Sequence, residues 1–102
     1  MRAAGTEVAE PARGASPRVA PRYRVLLHDD PVTPMDVVVD ILRRVFRKNL
    51  GDASRLMREA HETGISLIEV VPLEEAELHV EQAHSLARAR SMPLSFSIER
   101  AD

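Results

Sequence analysis

The sequence predicts a two-layer α+β domain in the order β-α-α-β-α-β, with a three-stranded antiparallel sheet packed against three helices. Three observations carry this. Apolar residues recur at helical spacing in three segments. Three others are rich in strand formers or alternate strictly. With 44% hydrophobic residues in 102, the chain holds one core, and with 3% aromatics that core is aliphatic.

The first strand is expected over 23–27, ending at the Asp29-Asp30-Pro31 turn signal. Thr33-Pro34-Met35-Asp36 reads as a helix start: Thr33 as the cap, Pro34 at the first helical position, and Asp36 at the positive end of the dipole. Met35, Val38, Ile41, Leu42, Val45 and Phe46 then form one apolar face, and the helix is expected to end near Lys48. Asp52 is the expected cap of a second helix carrying Ala53, Leu56, Met57 and Ala60, with His61 one turn after Met57 and Gly64 as the stop. A strand over 65–71 is interrupted by Glu69. A third helix over 72–90 begins with Glu74, Glu75 and Glu77, and its small-residue face (Ala76, Val80, Ala83, Ala87) suits close approach to a sheet. Residues 94–98 alternate as a strand with one buried face.

Composition excludes several classes of function. Without cysteine there is neither a disulfide frame nor thiol chemistry. Fourteen basic against sixteen acidic residues argue against a nucleic-acid binder. The basic cluster Arg43, Arg44, Arg47 and Lys48 reads as the solvated side of a helix. No apolar run reaches membrane-spanning length. Residues 1–22 hold six Ala, three Pro, two Gly and four Arg but only two Val as larger aliphatics, too little to offset ordering, so they are expected to form a disordered extension. They also lack the apolar stretch of a signal peptide, so the protein is expected in the cytoplasm.

Three chemistries compete for the remaining residues. Asp29, Asp30 and His61 could serve as acid and base, but neither a nucleophile elbow nor a glycine-rich phosphate loop accompanies them. For a metal, His79 and His84 are five residues apart and diverge around their helix. His61 with the acids could hold an ion, but a structural histidine is the plainer reading, and no cofactor or metal is expected. Binding uses the residues better: neither acid has a Lys or Arg within four residues downstream, and apolar helices follow. If these elements meet, an anionic rim stands beside an aliphatic pocket, fit for a cation attached to a bulky apolar group. A merely solvated acid turn remains the alternative.

Three segments, YRVLLHDDPVTPMDVVVDIL, ASRLMREAHETG and MPLSFSIE, resemble the ClpS family of adaptor proteins over residues 23–101. The resemblance implies an adaptor, not an enzyme. It would bind proteins bearing a bulky hydrophobic N-terminal residue (an N-degron) and deliver them to the ClpA-type AAA+ unfoldase of the ClpAP protease. Without a gap, Asp29 falls where the family usually has Asn, Asp30 matches the acid that follows, and Pro31 replaces a second Asp; a register with His28 in the Asn place needs an extra residue in the turn, whereas the ungapped one keeps both Tyr23 and Thr33 in place. Asp30 and His61 thereby match positions that hold the substrate amine, Asp29 keeps an acceptor oxygen, and Thr33 matches a peptide contact. Met35, Val38, Met57 and Leu94 match the apolar pocket, with Met35 as a gate against β-branched residues. Ala60, smaller than the usual Val, implies a roomier pocket. Glu74 matches a chaperone-docking acid, and His79 stands where Lys is common. A monomer is expected, with no nucleic acid or membrane as partner. A partner-docking module of the same fold, blind to the free amine, is the competing reading.

Overall fold

The computed structural model describes residues 20–102. The expected extension lies, through residue 19, outside the described residues. The elements are β1 (Arg22–His28), α1 (Met35–Phe46), α2 (Leu50–Thr63), β2 (Ile65–Pro72), α3 (Leu73–Ala89) and β3 (Phe96–Arg100). β1 is central in a sheet of order β2-β1-β3, and both pairings are antiparallel. The helices cover one face. Val25 and Leu27 of β1 point into them, together with Ile41 and Leu42 of α1 and Ala53 of α2, all essentially inaccessible to water. Ala76, Ala83 and Ala87 are the buried residues of α3, and their small side chains bring that helix close to the sheet.

Several local causes differ from expectation. Thr33 does not cap α1. Its hydroxyl turns back to Asp30, and Pro34 takes the cap position, its carbonyl accepting from the N–H groups of Val37 and Val38. α1 stops at Phe46 because Arg47 adopts a left-handed conformation (φ 58°), and Lys48 N–H returns to the Leu42 carbonyl. The cap of α2 is Asn49, whose side chain accepts from Asp52 N–H at 2.8 Å. Asp52 therefore sits in the first turn and supplies the donor, while the Asn49 oxygen satisfies it. Gly64 ends α2 at φ 95°, the left-handed geometry that favours glycine.

β2 carries an irregularity that the sequence shows only as an interruption. Val25 pairs with Glu69, but Leu26 pairs with Leu67, so Ile68 is an extra residue in the ladder. Such a bulge lets two successive residues face the same side. Ser66 and Ile68 are buried under the helices, and Glu69 also turns to that side, where it meets His79 of α3. β3 begins at Phe96, two residues later than expected. Ahead of it His28 N–H donates to the Ser95 carbonyl, and Leu94 stays buried. No helix among the described residues is long and apolar enough to cross a membrane.

Candidate functional site

One end of the sheet opens into a cavity of about 240 Å³. Its wall is assembled from the end of β1 and the acid turn, the start of α1, the last turns of α2, and Leu94 before β3. The nine residues expected to bind substrate all line it: Asp29, Asp30 and Thr33; Met35 and Val38; Met57, Ala60 and His61; and Leu94. Glu74 and His79 lie elsewhere, on α3. Leu27, His28, Pro31, Val32 and Pro34 also contribute, which spacing alone did not indicate. The prolines and Val32 bracket Thr33 in the quoted turn, and their place in the wall follows from the turn's curl.

The floor is aliphatic and fixed. Val38, Ala60 and Leu94 are buried residues of the main core, so the cavity is walled by packed structure. Met57 is partly buried, whereas Met35 is 49% exposed at the mouth.

The rim is polar, and its geometry has two parts. Asp30 is committed to the turn. One oxygen accepts from the Thr33 hydroxyl, and the other accepts from Val32 N–H at 2.9 Å. The Thr33 hydroxyl is the chief cause holding the Asp30 carboxyl below its usual range, partial burial opposes it, and the Val32 and Thr33 N–H groups add to it. Asp30 therefore stays ionised. A carboxylate has about four acceptor sites, so with these three donors about one remains free. Asp29 is placed by its backbone: its N–H donates to the Gly64 carbonyl at 3.0 Å. Gly64 ends the helix that carries His61, so the same glycine brings the two side chains together, with His61 Nδ1 3.5 Å from Asp29 Oδ1. Both remain accessible, with side-chain exposures of 57% for His61 and 35% for Asp29.

His79 is occupied differently from a free surface residue. Its Nδ1 lies 2.6 Å from Glu69 Oε2, and its ring stands edge-on to Phe46 with centroids 5.6 Å apart. Its side chain is 21% exposed, whereas Glu74 is exposed.

Comparison with known proteins points one way. A family model described as ATP-dependent Clp protease adaptor protein ClpS matches residues 18–97. The ClpS adapter protein of Maricaulis maris is 40% identical over 96 residues, covering 94% of this chain and 87% of the relative. That of Desulfatibacillum aliphaticivorans is 42% identical over 77 residues, 76% of this chain and 74% of the relative. Among solved structures, Agrobacterium tumefaciens ClpS2 bound to L-phenylalaninamide superposes with a TM-score of 0.78 at 30% identity, covering 80% of this chain and 99% of that one. The chain belongs to the ClpS family, the adaptor proteins of the ATP-dependent Clp protease.

Proposed function

We propose that this adaptor holds the free α-amino group of an N-degron at the Asp29–Asp30–His61 rim while the first side chain enters the cavity behind. The observation that carries the reading is the joining of these acids and this imidazole to an aliphatic floor in one cavity. Its size supports the same ligand class, because an apolar cavity of roughly 150 Å³ accommodates benzene in another protein. At about 240 Å³, this one has room for one bulky side chain. Phenylalaninamide, the ligand of the similar Agrobacterium structure, carries a free amine beside an aromatic side chain, and we extend that ligand class to this chain.

In the bound state the ammonium donates to Asp29 and to the remaining acceptor site of Asp30. Neutral His61 accepts a third bond; protonated, it could only donate and would repel the amine. The Thr33 hydroxyl, donating to Asp30, keeps an acceptor site for a peptide N–H. Met35 closes over the side chain and disfavours β-branched residues, and Met57 and Leu94 complete the pocket. Each charge-assisted bond contributes roughly 1.5–3 kcal/mol net. Burial of a Leu or Phe side chain adds about 1.5–3 kcal/mol. Less the cost of association, affinity is on the order of micromolar. The protein acts without catalysis, as a cytoplasmic monomer, and delivers its cargo to a ClpA-type unfoldase through the α3 face bearing Glu74 and His79.

Fluorescence anisotropy with peptides differing only in the first residue tests this. Phe, Leu, Tyr and Trp should bind, and Lys and Ala should bind at least tenfold more weakly. Equal affinity across the panel would remove the pocket from the mechanism.

A further inference from the structure

On the helix face away from the peptide cavity, Glu69, Glu75 and His79 bring one ligand atom each within 4.8 Å of one another. Glu75 and His79 are one helical turn apart on α3, so they project along one stripe. Glu69 reaches them from β2 only because the bulge at Ile68 turns it to the helix side. The side chains of Glu69 and His79 are 14% and 21% exposed, and the imidazole packs nearly perpendicular to the Phe46 ring. Glu75 is exposed and leaves one side open to solvent.

We propose that Glu69, Glu75 and His79 form a site for a borderline divalent metal ion of the Zn²⁺ class. An N,O,O set of one imidazole and two carboxylates, with a fourth position for water, suits such an ion. Mg²⁺ prefers an oxygen shell and keeps its waters, so the imidazole selects against it. The ion takes the place of the hydrogen between His79 Nδ1 and Glu69 Oε2, and the ring proton resides on Nε2. Tetrahedral coordination sets ligand atoms about 3.3 Å apart. The 2.6 Å pair therefore opens slightly while the exposed Glu75 side chain swings in. Two carboxylates offset the charge of the ion and the positive end of the α3 dipole. If α3 docks the unfoldase as proposed above, metal occupancy also alters the charge beside Glu74, but binding of the ion does not depend on that reading.

The test is calorimetric titration of the tag-free full chain with Zn²⁺, repeated with Glu75→Gln, His79→Gln and His61→Ala, and with Mg²⁺. One equivalent of Zn²⁺ should bind. Losing a ligand should weaken it at least about tenfold, since losing even a hydrogen-bond partner of a ligand costs 10–100-fold. His61→Ala should leave binding unchanged, and Mg²⁺ should give no saturable signal. Glu75 is exposed, so its Gln variant keeps the core intact, and the His79 ring signals in NMR should shift on saturation. Absence of saturable Zn²⁺ binding, indifference to Glu75→Gln and His79→Gln, or loss in His61→Ala alone would overturn the proposal.

Discussion

Replacing Asp30 by Asn separates the two tasks assigned to that carboxylate. In the free protein its oxygens accept from Thr33 and from Val32 N–H. Asn keeps one oxygen for Val32, and its amide can donate to the Thr33 hydroxyl, which can accept instead. The turn is therefore retained and only the charge is lost. Against an ammonium, a charge-assisted bond of roughly 1.5–3 kcal/mol becomes a neutral one of about 0.5–1.5 kcal/mol. The difference is about 1–1.5 kcal/mol, or roughly 5- to 13-fold in affinity. Anisotropy titration of a Phe-initiated peptide should show this loss, and its N-acetylated form should show almost none. A loss equal for both peptides would mean Asp30 acts through turn structure alone. The same bonds set an acid limb. The folded Asp30 carboxyl lies below its ordinary 3.8, so its stabilisation is full above that value and disappears as pH falls through the lower one. Asp30→Asn should flatten that part of a stability-against-pH curve.

Met35→Ala should raise affinity for Ile- and Val-initiated peptides several-fold while Phe binding changes less, and an unchanged preference would show that Met35 is no gate. Ser66 is 2% exposed, and its hydroxyl has no partner among the described residues. Ser66→Ala should therefore stabilise the fold by about 1 kcal/mol in urea unfolding, and destabilisation would reveal a hydrogen bond unaccounted for. Arg47 holds a left-handed conformation at the end of α1. Arg47→Gly should add about 1 kcal/mol to stability, and a loss would mean its side-chain contacts outweigh the backbone cost.

The elements were legible where the signal is local. The α1 stripe from Met35 to Phe46 is a periodicity within one segment, and Gly64 marks its own conformational need. Caps were less legible, because Asn49 and Asp52 stand three residues apart and either could serve. Only geometry shows that the Asn49 oxygen receives the Asp52 N–H. Glu69 was misleading for a different reason. A bulge is a property of two strands, and the shift between Val25 and Leu26 is not written in either alone. For the site, helical spacing groups Met35 with Val38, and Met57 with Ala60 and His61. Only the family resemblance implies that these groups face each other across Leu94, since no pattern in one segment encodes a contact across three. The sequence does not distinguish the Thr33–Asp30 bond from a helix cap, because a threonine before a proline suits either.

The most direct measurement compares one Phe-initiated peptide with its N-acetylated twin against the unaltered protein. Acetylation removes the positive charge and donors while leaving the side chain that fills the cavity. The account predicts binding on the order of micromolar for the free amine and a loss of at least about a hundredfold on acetylation, as two charge-assisted bonds require. Equal affinities for the two peptides would contradict it.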